Sequence, residues 1–146
     1  MTIIRLPKNI DEIQEPEALP EDYYKVRIIE EPEVVKNKKK TGNNLILSLR
    51  TISENPSYNG RPFRKWISLP TAEDANSFTS MGQSKEDFKM GMLKKISEGF
   101  SGLSADGNEI SLQAGMEAWV YITQGLDQSG TRLTNDLDFM SEIKPV

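Results

Sequence analysis

Within residues 36–66 the chain places eight cations, Lys36, Lys38, Lys39, Lys40, Arg50, Arg61, Arg64 and Lys65, against one acid, Glu54. Among and beyond them stand flat aromatic side chains, Tyr58, Trp66, Trp119 and Tyr121. Cations can neutralise a row of phosphates, and exposed rings can take unstacked bases at about 1–3 kcal/mol each, so this set points to binding of a single-stranded nucleic acid. Groups for covalent chemistry are scarce. The 146 residues contain no Cys and no His, which removes the thiol nucleophile, the usual zinc ligands and the commonest general base at neutral pH. Hydrolase triads are poor candidates and no enzyme activity is expected. The carboxylate pairs Glu73/Asp74, Glu86/Asp87 and Asp136/Asp138 could in principle hold Mg²⁺, but adjacent acids are ordinarily solvated, and the GxxxxGK[ST] phosphate loop is absent. No metal or cofactor is expected.

The net charge of −4 conceals a strong asymmetry. Residues 1–35 carry nine acids and four bases, residues 36–66 carry an excess of seven positive charges, and residues 67–146 carry twelve acids and six bases. A local excess of that size attracts a polyanion even on an acidic molecule. The competing reading of Lys38, Lys39 and Lys40 is a solvated loop that maintains solubility. No run approaches the roughly 20 apolar residues of a membrane span, and the N-terminus lacks a signal-peptide pattern, so a cytosolic protein without membrane contact is expected.

These residues must be positioned by folded elements. Residues 1–22, acidic and containing Pro7, Pro16 and Pro20, read as an extended arm, and residues 23–146 as one domain. From Tyr23 a two-residue period sets in: Tyr24, Val26 and Ile28 alternate with Tyr23, Lys25 and Arg27, and Val34 and Val35 continue the strand beyond Pro32. The basic turn KNKKKTGNN leads to a second strand in which Leu45, Leu47 and Leu49 alternate with Ile46, Ser48 and Arg50. After the turn SENPSYNG, which displays Tyr58, a third strand over 61–69 sets Phe63, Lys65, Ile67 and Leu69 on one face and Arg64 and Trp66 on the other.

Beyond Pro70 the period lengthens. Thr71 with Asp74, and Ser84 with Asp87, look like helix starts, and Gly99 and Gly102 like stops, so 71–101 is predicted to be a short and a longer helix. Phe88, Met92, Ile96 and Phe100 make an apolar stripe read as core. Residues 103–110 are a loop that could hold a brief strand. A fourth strand alternates Ala118, Val120 and Ile122 with Glu117, Trp119 and Tyr121, and a fifth runs from Leu133 through Phe139 to Met140. Trp119 and Tyr121 either face outward for stacking or form the floor beneath the helical segment.

Three strands, a helical insertion at about 71–101, then two strands is the order of the OB-fold, a mainly β, five-stranded Greek-key barrel with a helix between strands three and four. An SH3-like barrel or an open α+β sheet gives no reason for about thirty helical residues at that place. On this fold the loop carrying Lys36 to Lys40 borders the ligand face.

Four stretches, ALPEDYYKV at 18–26, LILSLRTI at 45–52, NGRPFRKWISL at 59–69 and TRLTNDLDF at 131–139, together resemble a family of short phage-encoded single-stranded DNA-binding proteins with an OB-fold. The similarity spans residues 18–140. It implies a host-cytoplasmic protein that coats single-stranded DNA without sequence preference in replication, recombination or repair. Phage or host replication and recombination proteins are the implied partners, and an oligomer is compatible with it. The alternative on the same fold is a protein–protein adaptor recruiting replication partners. Many proteins of this function end in an acidic tail with an aromatic tip; here the end is SEIKPV, which leaves the acidic N-terminal arm as a substitute.

Overall fold

The computed structural model describes residues 1–12, 17–38 and 42–146; Lys39 and Lys40 of the basic loop lie outside the described residues. Alternation decides the architecture. In β1 (Asp22–Ile28) the side chains of Tyr24, Val26 and Ile28 are buried. The chain breaks at Pro32, where no backbone N–H is available for a ladder, and resumes as β2 (Glu33–Lys36). In β3 (Asn43–Ile52) Leu45, Leu47, Leu49 and Thr51 point inward, and β4 (Pro62–Ser68) contributes Ile67. After the helical segment, β5 (Glu117–Leu126) buries Ala118, Val120 and Ile122, β6 (Leu133–Asp138) buries Leu137, and β7 (Lys144–Pro145) closes the chain. Each fully buried Leu or Ile contributes about 1.5–3 kcal/mol, which makes these faces the main source of stability.

The strands form one antiparallel sheet with neighbours β2-β3-β1-β5-β6, β4 on β3 and β7 on β5. It therefore has seven strands where the sequence pattern predicts five. The first predicted strand is β1 and β2 together, since both lie on the same edge of β3: β2 pairs with residues 43–46 and β1 with residues 49–52. The last predicted strand ends at Asp138, two residues early, and residues 103–110 form no strand. The sheet is curled into a half barrel compatible with an OB-like fold. Its two ends, β4 and β6, form no ladder with each other; Lys65 spans them, its Nζ donating to Asp136 Oδ2 at 3.1 Å and to the Leu137 carbonyl at 3.1 Å.

Between β4 and β5 lie a 3-10 turn, Ala72–Asn76, and one helix, α1 (Lys85–Ser101). The Thr71 N–H donates to the Asp74 carboxylate at 2.8 Å, and Ser84 Oγ accepts the Asp87 N–H at 3.1 Å, so both anticipated starts are real caps. Gly102 ends the helix in the left-handed region, φ 72°. Gly99 is not a stop. It lies inside α1, where a Cβ would collide with Ile143 Cγ2, so its missing side chain is what lets the C-terminal segment pack on the helix. Leu93, Ile96 and Phe100 enter the core, whereas Phe88, at the head of the expected stripe, is exposed. The base of the N-terminal arm is docked too: Leu19 is fully buried and its N–H donates to Asn135 Oδ1 at 2.8 Å.

Candidate nucleic-acid interface

Because side chains alternate across a strand, the residues opposite the core share the outer face, and the register orders them into rows. Trp66 on β4 faces Ile46 on β3, with Glu33 on β2 beyond; Arg64 faces Ser48; Arg50 lies between Pro62 and Arg27, and Arg27 faces Glu117. The next row runs Ile52, Lys25, Trp119, Lys144 across β3, β1, β5 and β7. Trp66 is 54% exposed, yet its neighbour Ile46 is buried although it points away from the core, as expected for an aliphatic side chain beside a broad indole. The Arg64 guanidinium carbon sits 5.4 Å from the Trp66 ring, an arrangement that fixes a cation beside an aromatic platform.

Charge is available on this face. Among the described residues the ion pairs are Arg27 with Glu117 at 2.8 Å, Lys65 with Asp136 at 3.1 Å and Lys89 with Asp74 at 2.9 Å. Arg50 and Arg64 on this face are exposed and take part in none of them; Lys36, which pairs with Asn43 and so falls on the opposite face of β2, and Lys38 in the loop beyond are likewise exposed and take part in none. The basic loop is joined to this face directly, because β2 and β3 are the strands that flank it.

Trp119 and Tyr121 also point outward. Their neighbours Ala118, Val120 and Ile122 supply the core side of β5, so neither aromatic is the floor beneath the helix. Trp119 is 39% exposed between Lys25 and Lys144. Tyr121 is more constrained: its ring packs edge-on against Tyr23, with centroids 5.4 Å apart, and its hydroxyl reaches Glu21 at 3.5 Å. Burial, followed by the Glu21 carboxylate, raises the Tyr121 phenol above its ordinary range. Tyr23 is held as well, by a hydroxyl bond to the Glu142 carbonyl at 3.0 Å and by Lys144 Nζ at 4.3 Å from its ring.

Three expected members are committed elsewhere. Arg61 donates to the carbonyls of Glu17 and Ser57, at 2.8 and 2.9 Å through its terminal nitrogens, and so ties the arm to the turn before β4. Lys65 points inward and bridges the open ends of the sheet. Tyr58 is half-buried, packed edge-on against Tyr24 with centroids 5.9 Å apart, rather than displayed on its turn. Nothing local marks this for Arg61 or Tyr58, and although the alternation turns Lys65 inward, the partners that claim it lie up to 72 residues away along the chain. Lys144 was not visible as a member of the face, because a two-residue strand ending in Pro145 has no alternation to read.

No described helix is long and apolar enough to cross a membrane. Among the described residues no group of three or more His, Cys, Asp or Glu side chains is arranged to hold a metal ion. Comparison of the chain with protein-family models and with curated proteins gives no match.

Proposed function

We propose that this chain is an OB-like protein that binds single-stranded DNA without sequence preference, in phage replication, recombination or repair. The observation that carries the reading is the half-exposed Trp66 with Arg64 beside its ring, on a face where Arg50 is exposed and takes part in no ion pair among the described residues. The order of elements supports the OB-like assignment: with β1 and β2 counted as one bent strand, the sheet order is β4-β3-β1-β5-β6, and α1 lies between β4 and β5 in sequence. In that frame β3 and β4 are the strands expected to carry ligand, and the loop after β2 borders them.

Phosphates then lie along Arg64 and Arg50 on the face, the loop cations Lys36, Lys38, Lys39 and Lys40 add positive charge beyond its edge, and one base stacks on Trp66. A second platform, Trp119 flanked by Lys25 and Lys144, is reached diagonally past Arg50 and Arg27. Three strand spacings and six residues of strand separate the two indoles, roughly 25 Å along the sheet. That span suits a binding site of several nucleotides, within the range of roughly 4–16 per OB-fold. Gel retardation of labelled oligo(dT) at low salt, with unlabelled duplex and single-stranded competitors, tests the reading. Retention competed only by single strands supports it; no retarded species at low salt overturns it.

A second reading, a protein–protein adaptor, draws on a different observation: Ile3, Ile4, Leu6 and Ile10 of the arm are all exposed. An adaptor would keep its partner association when Lys36 and Lys38 are changed to Gln. A DNA-binding protein would lose oligonucleotide retention in that variant.

A further inference from the structure

Trp66 belongs to two surfaces: besides the outer face of the sheet it lines a cleft of about 480 Å³ between β4 and the start of α1. We propose that this cleft is a second base-binding site, which takes a nucleobase turned out of the strand crossing the outer face; the proposal rests on the single-strand-binding reading above.

The walls suit a flat ring. Opposite Trp66 the cleft is lined by Phe88 and Met92 from α1. Phe88 is 36% exposed, whereas Ile96 and Phe100, two and three stripe positions further along, are buried in the core, so the helix presents an uncovered aromatic where the core ends. The volume lies within the roughly 300–1,000 Å³ usual for small-ligand sites. The rim and floor suit a nucleotide better than an apolar peptide side chain. Lys85 at the mouth is exposed and takes part in none of the described ion pairs, placing a cation where the phosphate of an inserted nucleotide would lie. Deeper in, Lys89 Nζ and the Asp74 carboxylate, 2.9 Å apart, offer a donor and an acceptor side by side. A base edge carries both kinds of group, while an aliphatic side chain would leave the pair facing hydrocarbon.

The third wall is preformed. The loop leading into α1 is pinned by Thr79 N–H to the Gln83 carbonyl at 2.8 Å, by Lys85 N–H to the Ser77 carbonyl at 2.8 Å, and by the antiparallel bridge of Phe78 with Ser84. A cleft held open by the backbone loses little freedom when a ring enters.

The test uses the whole chain, an oligo(dT) of roughly 16 nucleotides, and a matching strand carrying one 5-iodouracil for photocrosslinking. Phe88→Ala is expected to weaken oligo(dT) binding about 5- to 150-fold, the equivalent of one stacked base, while Phe88→Trp stays within about threefold of the parent. Lys85→Gln is expected to lower the salt slope by about 0.7, the share of one phosphate contact. Crosslinks of the parent protein should fall on the segment containing Phe88 as well as on that containing Trp66. Parental affinity in Phe88→Ala, with crosslinks confined to the Trp66 segment, overturns the cleft site and leaves the outer face standing. Absence of oligo(dT) binding by the parent overturns both.

Discussion

The cations of residues 36–66 divide into those that face the proposed DNA path and those spent on the fold, and the two groups should respond oppositely to substitution. Lys36, Lys38, Arg50 and Arg64 are exposed and take part in no ion pair among the described residues. At about 0.7 per phosphate on a single strand they give a salt slope near −3, and Lys39 and Lys40 bring it to about −4. Raising salt fourfold should therefore weaken binding about 50- to 300-fold. Arg64→Ala removes one contact, so the slope should fall by about 0.7, and affinity should drop further because the indole loses its neighbouring guanidinium. Lys65→Met keeps the aliphatic stem but loses the bonds to Asp136 and the Leu137 carbonyl. Since Asp136 is mostly exposed, that loss is worth only about 1 kcal/mol, or roughly 2–4 °C in Tm for a chain of this size. The assay is oligo(dT) affinity at several salt concentrations, with thermal melts of the same samples. Equal changes of slope in Arg64→Ala and Lys65→Met, or a Lys65→Met variant that loses slope but keeps its Tm, would refute the division.

Other outcomes follow from the same packing. Gly99→Ala gains about 1 kcal/mol of helix propensity, but its Cβ would meet the side chain and carbonyl of Ile143, so a net loss of up to about 2 kcal/mol is expected in chemical unfolding. Thr51 is fully buried, its hydroxyl donating to the Tyr58 carbonyl and accepting the Arg61 N–H at 2.9 Å. Thr51→Val strands both partners and should cost about 1–3 kcal/mol by urea titration. The Asp74 carboxyl is held below its ordinary value, first by the bond from Lys89 and then by the Thr71 backbone N–H. Its carboxylate therefore stabilises the fold above the usual aspartate range, near pH 4, and that contribution fades as pH falls through the lower native value. Asp74→Asn should accordingly be less stable than the parent at pH 7, with the gap closing on acidification; a constant gap in urea midpoints would contradict this.

Much of this arrangement is legible in the sequence because its causes are local. Two-residue alternation around Val26, Leu47 and Val120 identifies the inward faces and, by complement, places Arg64, Trp66 and Trp119 outward. Ser84 and Gly102 mark the helix because caps act within one turn. What was hidden depends on long-range partners. The inward position of Lys65 could be read, but not that Asp136 waits across the open ends of the sheet, and nothing near Arg61 announces the Glu17 carbonyl. Helical spacing alone puts Phe88 on the core stripe, because it tells which face a residue occupies but not how far the core extends along the helix. Gly99 looks like a stop in the sequence because the close approach of Ile143, more than forty residues on, is invisible to any local pattern.

The central claim is that Trp66 is a base-stacking platform, and the most direct measurement is a titration with oligo(dT) at low salt read by tryptophan fluorescence. The chain has two tryptophans, so Trp66→Ala leaves Trp119 as an internal reporter. Quenching is expected in the parent, with loss of the larger part of it in Trp66→Ala and binding weakened about 5- to 150-fold. Quenching and affinity unchanged in Trp66→Ala, or no response from the parent at all, would contradict it.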